Sequence, residues 1–189
     1  MKRNEKPIVY VLLSGGIDSA ACVHFYKGKS YSVRPVFVSY GQPAEQAESK
    51  SARKISQFYG LRLRTISVAG LNVPKSGEII GRNLLLAAAA LMRSGIRGNL
   101  VAIGIHHGTR YYDCSSRFIE TCTTLFSGYT DGRVGFAAPF AMLSKSDIWE
   151  YCKDGRVPVR LTWSCETSSK RACGKCLSCR DKERLLAGA

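Results

Sequence analysis

IVYVLLSGGIDS, residues 8–19, is the stretch of this 189-residue sequence that decides the fold. Its first six residues are apolar and include β-branched side chains, which is typical of a strand buried on both faces of a sheet. Two glycines follow, and from Asp18 to Tyr26 the apolar residues have helical spacing. The stretch therefore predicts a buried strand, a glycine turn and a helix that begins at that turn.

The rest of the chain repeats this alternation of strands and helices. Further strands are predicted at Val33–Val38, Leu61–Val68 and Leu100–Ile105, and further helices at Ala44–Tyr59, Asn83–Arg93, Arg117–Phe126 and from the N-cap Ser144 to about Lys153. Such alternation favours right-handed βαβ units and a parallel sheet covered on both faces. We therefore predict a doubly wound, Rossmann-like α/β domain over residues 1–160, followed by a cysteine-rich segment over residues 161–189.

Composition limits the class of protein. Apolar residues make up 45% of the chain and charged residues 22%, which is close to a soluble globular average. The longest apolar run, Leu84 to Met92, is far shorter than the roughly 20 residues of a membrane span. We expect a soluble, cytoplasmic protein without membrane contact. The net charge of +14 is equally consistent with general solvation and with an anionic partner such as nucleic acid, a nucleotide or a membrane surface.

The glycine turn has the composition of a phosphate-binding loop. It lies at the carboxyl end of the first predicted strand, where open α/β sheets bind ligands. Gly15 and Gly16 let the backbone approach a phosphate, and the following helix N-terminus offers N–H donors. An ordinary tight turn needs one or two glycines, but it needs neither the flanking Ser14 and Ser19 nor Asp18. Because a carboxylate repels phosphate, Asp18 indicates a bridging Mg²⁺.

Four of the eight cysteines form a cluster: Cys165, Cys173, Cys176 and Cys179. Two successive two-residue spacings let the sulfurs turn toward one point, as tetrahedral Zn²⁺ requires. An iron–sulfur cluster also takes four thiolates, but nothing else in the sequence indicates redox chemistry, so zinc is favoured. The remaining four, Cys22, Cys114, Cys122 and Cys152, lie in apolar surroundings and are expected to be small buried residues.

Two of these motifs resemble known families. Ser-Gly-Gly-x-Asp-Ser after a first strand resembles the pyrophosphate loop of the N-type ATP pyrophosphatases, which have the adenine nucleotide alpha hydrolase-like fold. The stretches Leu161–Cys165 and Cys173–Arg180 resemble the zinc segment of the 7-cyano-7-deazaguanine synthases within that superfamily. Further matches to these synthases lie in order along the chain, at Ser39–Gln42, Gly81–Asn83, Asp113–Cys114 and Pro139–Ile148.

The resemblance implies an ATP-dependent ligase that makes the nitrile precursor of queuosine. Its substrates would be 7-carboxy-7-deazaguanine, a purine-like acid, and ammonia, and adenylated acid and amide would be the intermediates. ATP, Mg²⁺ and Zn²⁺ would be the cofactors, and a homodimer is the expected assembly.

The resemblance also implies roles for individual residues. The catalytic residues would be Asp18, Arg82 and Lys145. The nucleotide contacts would come from Leu13, Ser14, Gly15, Gly16, Ile17, Asp18, Ser19, Tyr40, Gln42, Arg82, Asn83 and Lys145. The zinc ligands would be Cys165, Cys173, Cys176 and Cys179. His106 and His107 are further candidates for proton transfer, Asp113 for hydrogen bonding to a purine-like base, and Cys114 for nucleophilic attack.

Three stretches depart from the pattern of the synthases. The Tyr-Gly-Gln motif continues with Pro43-Ala44-Glu45-Gln46 in place of basic residues and a histidine, the loop from Val68 to Gly81 is short, and residues 106–112 lack an Asp-Tyr-Ser-like stretch. All three fall where the acceptor pocket is expected. The alternative prediction is therefore an adenylating enzyme with another acceptor, either tRNA or a protein as in bacterial defence systems. A non-catalytic nucleotide-binding module is a third hypothesis.

Overall fold

A computed structural model describes residues 6–75, 77–97, 99–108, 111–167 and 170–187. The strands are β1 (Ile8–Leu12), β2 (Ser32–Ser39), β3 (Arg64–Ser67), β4 (Leu100–Ile103) and β5 (Gly135–Ala137). The helices are α1 (Ile17–Gly28), α2 (Glu45–Phe58), α3 (Arg82–Ser94), α4 (Ser116–Thr130), α5 (Lys145–Asp154) and α6 (Leu177–Ala187). None of the helices in these ranges is long and apolar enough to cross a membrane.

The described strands form one parallel sheet in the order β3-β2-β1-β4-β5. From β1 the chain builds outward through β2 to β3, and then it returns to place β4 on the other side of β1. The strand order therefore reverses beside β1, and the carboxyl end of β1 lies at the position where doubly wound sheets bind ligands. This order confirms the doubly wound prediction and places the glycine turn at the switch point.

Alternate residues of β1 belong to two separate cores. Val9 and Val11 pack among residues from α1, α2 and α5 on one face of the sheet. Tyr10 and Leu12 pack among residues from α3 and α4 on the other face. Each fully buried side chain of this kind contributes about 1.5–3 kcal/mol of hydrophobic free energy. The central strand is thus fixed from both sides, and the turn that follows it has a rigid base.

Two elements were absent from the sequence prediction. β5 has only three residues, which are too few to show the alternation of a strand. α6 lies within the cysteine segment, where the spacing of the cysteines was interpreted as a metal site and not as a helix. By contrast, the predicted cap of α5 is confirmed, since Ser144 and Asp147 form a reciprocal capping box. The division into residues 1–160 and 161–189 stays a prediction.

Candidate nucleotide and metal site

The glycine turn is shaped by backbone contact with α2. Gly15 has a φ of +92°, in the left-handed region that glycine adopts without steric cost. A Cβ on Gly15 would lie 2.6 Å from the carbonyl oxygen of Glu48 and 2.9 Å from the Cβ of Ser51. Because the backbone of α2 fills this space, α2 supports the turn from behind and the position requires glycine.

Two hydroxyls flank the N-terminus of α1. Gly16 is the N-cap and has extended backbone. Its N–H donates to Ser14 Oγ at 3.4 Å, and Ser19 Oγ donates to the Gly16 carbonyl oxygen at 2.9 Å. The two serine oxygens lie 3.2 Å apart. Hydroxyls, a helix N-terminus and a glycine backbone together form an arrangement that suits an anion such as phosphate.

Asp18 and Lys145 form an ion pair although they are 127 residues apart in the chain. Lys145 Nζ lies 2.6 Å from Asp18 Oδ1 and 2.5 Å from Oδ2. Asp18 is in the first turn of α1, where the helix dipole stabilises a carboxylate, and Lys145 is the first residue of α5. The side chains are 27% exposed for Lys145 and 19% for Asp18. Both charges therefore remain accessible to a ligand at the switch point.

Gly104, directly after β4, is a site residue that sequence reasoning missed. A Cβ there would lie 2.5 Å from the carbonyl oxygen of Asp18 and 2.9 Å from the backbone nitrogen of Ser19. The end of β4 and the first turn of α1 thus touch backbone to backbone, and any side chain at this position would displace Asp18. A glycine at the end of a predicted buried strand was the available signal.

Arg82 lies at the same edge of the sheet, at the start of α3. Its Nε donates to Asn83 Oδ1 at 3.2 Å. Burial raises the pKa of Glu48, while a hydrogen bond from Gln42 and the nearby positive charge of Arg82 oppose that rise. The charge of Arg82 is therefore close to Glu48. Because the Glu48 carbonyl faces Gly15, Arg82 lies near the helix that supports the glycine turn.

Tyr40 and Gln42, predicted as nucleotide contacts, have internal roles in the structure. Gln42 Oε1 accepts from the Tyr40 N–H at 2.8 Å, and Gln42 Nε2 donates to the Val38 carbonyl at 3.2 Å and to Glu48 Oε2 at 3.0 Å. The Gln42 side chain therefore braces the loop after β2. Tyr40 is buried and packs in the core shared with α3. Their role in nucleotide binding stays a prediction.

The remaining candidates lie in the segment after β4. His106 Nδ1 is 2.6 Å from the carbonyl oxygen of His107, so that ring is held by its own loop. Thr109 and Arg110, part of the stretch that departs from the family pattern, lie outside the described residues. Asp113 is buried in the turn Tyr112–Cys114, and its Oδ2 accepts from the Asn83 N–H at the start of α3. Cys114 was predicted to be buried but is only half-buried, because it lies in a short turn that also contains the exposed Tyr112.

The four clustered cysteines converge. Their sulfur atoms all lie within 4.8 Å of one another. This is close to the separation of about 3.8 Å between sulfurs that bind a single tetrahedral ion with bonds of about 2.3 Å. Cys173 Sγ accepts from the N–H groups of Lys175 and Cys176 at 3.4 and 3.3 Å. These bonds and one from the Thr167 hydroxyl, the largest cause, lower the pKa of Cys173 to about 6. The donor set fits one metal ion.

The cysteine segment is attached to the glycine turn. The Trp163 N–H donates to the Gly15 carbonyl oxygen at 2.9 Å, and the Trp163 indole Nε1 donates to the Cys165 carbonyl oxygen at 2.9 Å. A cavity of about 530 Å³ lies between this segment and the loop after β2, lined by Gly41, Gln42, Pro43, Glu45, Gln46, Thr167 and Lys170. The cysteine cluster and the turn are therefore connected by hydrogen bonds through Trp163.

Comparison with known proteins identifies the family. The profile described as "Queuosine biosynthesis protein QueC" matches residues 8–76 and 72–188. The chain belongs to this family. The match spans both the glycine turn and all four clustered cysteines, and it confirms the resemblance drawn from the sequence motifs.

Curated relatives that match most of this chain share the name 7-cyano-7-deazaguanine synthase. The 7-cyano-7-deazaguanine synthase of Methanoculleus marisnigri is 32% identical over 196 residues, covering 89% of this chain and 88% of that protein. The synthase of Campylobacter fetus is 28% identical over 195 residues, covering 89% and 87%. Among solved structures, NMN synthetase from Francisella tularensis has a TM-score of 0.57 at 15% identity, covering 97% of this chain and 78% of that chain. That likeness shows the shared fold.

Proposed function

We propose that this protein is an ATP-dependent ligase that converts 7-carboxy-7-deazaguanine and ammonia into 7-cyano-7-deazaguanine. Membership of the QueC family and the shared name of its relatives support this activity. The single observation that carries it is the convergence at the switch point of the glycine turn, the N-terminus of α1 and the Asp18–Lys145 pair. These groups suit a nucleotide triphosphate with a divalent cation. The homodimer and the cytoplasmic location stay predictions.

The proposed first step activates the acid. Ser14, Ser19 and the N–H groups at the start of α1 bind the phosphates that will leave, and Lys145 and Arg82 balance their charge. A carboxylate oxygen of the acid bonds to the α-phosphorus while the bond to the β-phosphate breaks, and pyrophosphate leaves with the electron pair. Asp18 would hold Mg²⁺, which when bound supplies positive charge to the phosphate oxygens. The protein mainly positions reactants and neutralises charge.

The second half of the proposed reaction introduces nitrogen. Ammonia adds to the carbonyl carbon of the acyl adenylate, loses a proton and expels AMP, which gives the amide. The amide oxygen then attacks the α-phosphorus of a second ATP, pyrophosphate leaves with the electron pair, and the nitrogen loses one proton, which gives an adenylated imidate. Loss of AMP and of the remaining proton on nitrogen gives the nitrile. We place the acceptor in the cavity between residues 41–46 and the cysteine segment, because it adjoins the turn through Gln42, Glu48 and α2.

We propose that Cys165, Cys173, Cys176 and Cys179 hold a structural Zn²⁺. Four protein ligands leave no open position for substrate, so the ion would stabilise the segment and take no part in catalysis. The thiolates that bind an iron–sulfur cluster are farther apart than those that bind a single ion, because the cluster lies between them. The sulfurs here lie within 4.8 Å of one another. That spacing favours a single ion.

Arg82→Ala is expected to reduce ATP turnover by about tenfold or more, because a hydrogen bond to a charged group contributes about 1.5–3 kcal/mol. The rate of pyrophosphate release at a fixed ATP concentration measures this effect. Arg93→Ala is the matched control, since Arg93 is an exposed arginine in the last turn of the same helix. Equal losses in the two variants would contradict the placement of Arg82 at the phosphates.

The proposed activity is tested directly with the purified, metal-loaded protein. We expect incubation with ATP, Mg²⁺, ammonium and 7-carboxy-7-deazaguanine to produce first the amide and then the nitrile. Mass spectrometry of the deazaguanine measures both products. If ATP binds but the acid is unchanged, the acceptor assignment is wrong. The alternative of a tRNA or protein acceptor gains no support from the comparisons, and it would then be tested by ATP-dependent labelling of those molecules.

A further inference from the structure

The N-terminus of α3 is completed by a residue from another part of the chain. The first N–H groups of a helix have no partner within the helix, and here the Asn83 N–H donates to Asp113 Oδ2 at 3.1 Å. Asp113 belongs to the short turn Tyr112–Cys114 that precedes α4. A carboxylate at this position also interacts favourably with the positive end of the helix dipole. Asp113 therefore acts as a remote cap for the helix that begins with Arg82.

The side chain of Asn83 connects this cap to Arg82. Its Nδ2 donates to the Asp113 carbonyl oxygen at 2.9 Å and faces Cys114 Sγ at 3.8 Å. With the amide nitrogen directed at the turn, Oδ1 faces the opposite way, where it accepts from Arg82 Nε at 3.2 Å. Asn83 is only 2% exposed, so its rotamer is fixed by packing as well as by these bonds.

We propose that Asp113 is a positioning residue that acts through Asn83 to fix the direction of the Arg82 guanidinium. With Nε bound to Asn83, the two terminal nitrogens of Arg82 have no hydrogen-bond partner among the residues that the structure describes. A guanidinium held in this way presents its planar fork to a phosphate with little loss of rotamer entropy on binding. The inference rests on the proposed function, because it assigns those nitrogens to the phosphates of ATP.

A double-mutant cycle on ATP binding tests this role. Asp113→Ala is expected to weaken ATP binding by about tenfold, which corresponds to about 1.4 kcal/mol. In the Arg82→Ala background the same substitution should have almost no further effect, because the group that Asp113 orients is gone. Asp113→Asn retains an oxygen that accepts from the Asn83 N–H, so it should restore most of the affinity. Titration calorimetry with ATP, in the absence of acceptor, measures the four proteins of the cycle and the Asp113→Asn variant.

The outcomes separate the possible errors. Equal losses of ATP affinity in the two backgrounds would overturn the positioning role while leaving the proposed function in place. A wild-type protein that binds no ATP would overturn the proposed function and this inference together. An unchanged ATP affinity combined with a raised KM for the acid would show that Asp113 contacts the acceptor directly. If Asp113→Ala does not fold, Asp113→Ser replaces it in the cycle, since its shorter side chain places the oxygen too far from Asn83.

Discussion

We expect Asp18→Asn to reduce pyrophosphate release by on the order of 10²- to 10³-fold. Asparagine has nearly the same size as aspartate, but it carries no charge with which to hold a cation or pair with Lys145. The side chain lies in the first turn of α1 beside the glycine turn, where the negative charge opposes phosphate in the absence of metal. We therefore expect the variant to bind metal-free ATP at least as tightly as the wild type, while it loses turnover.

Two measurements make this result specific. Calorimetry with ATP in a buffer without Mg²⁺ reports binding, and a coupled pyrophosphate assay reports turnover. Asp131→Asn is the control, because Asp131 pairs with Arg133 at 2.8 Å and its side chain is 85% exposed. Pyrophosphate release by Asp18→Asn at the wild-type rate would show that the carboxylate has no part in the reaction, and a non-catalytic protein would show no release in either form.

Cys176→Ser is expected to remove the metal ion and to lower the free energy of unfolding by more than about 4 kcal/mol, as the loss of a structural metal does. Cys176 directly precedes α6 and Cys179 lies within it, so the ion would hold the first turn of that helix. We expect about one Zn²⁺ per wild-type chain, much less in the variant, and a lower helical signal in circular dichroism. ATP affinity should fall as well, because Trp163 connects the segment to Gly15.

Cys122→Ala is the matched control, since Cys122 is a residue of α4 that is buried in the core and is not part of the cysteine cluster. It should keep the full metal content while losing some stability through a small cavity. Elemental analysis combined with thermal unfolding measures both effects. A wild-type protein that contains no metal, or a Cys176→Ser variant as stable as the wild type, would contradict the structural assignment.

The fold was predictable because its signals are local. The β-branched run before Ser14, the glycine turn and the alternating elements after it predict a parallel doubly wound sheet, and the structure confirms that architecture. The N-cap Ser144 was predictable for the same reason, since its partner Asp147 is three residues away. β5 was missed because three residues carry no periodicity, and it is aligned by pairing with β4 and not by its own sequence.

The site was only partly predictable, because its support comes from contacts distant in sequence. The motifs indicated Asp18 and Lys145 separately, but their direct contact depends on how α5 packs on α1. Gly104 could be recognised only from the structure, because its role is the close contact of its backbone with the backbone of the first turn of α1. Gln42 matched a family motif, yet its three hydrogen bonds are all internal. The motif therefore predicted a nucleotide contact for Gln42 but gave no sign of the internal bonds that the structure shows.

A chain still emerging from the ribosome contains Gly15 long before it contains Trp163. The early strands can pair as soon as they are made, but the hydrogen bond from Trp163 to the Gly15 carbonyl requires residues that follow α5. A nascent chain that ends after α5 would therefore have its sheet in place and an incompletely supported turn. If the turn binds nucleotide as proposed, we expect a chain truncated after α5 to bind ATP more weakly than the 189-residue chain.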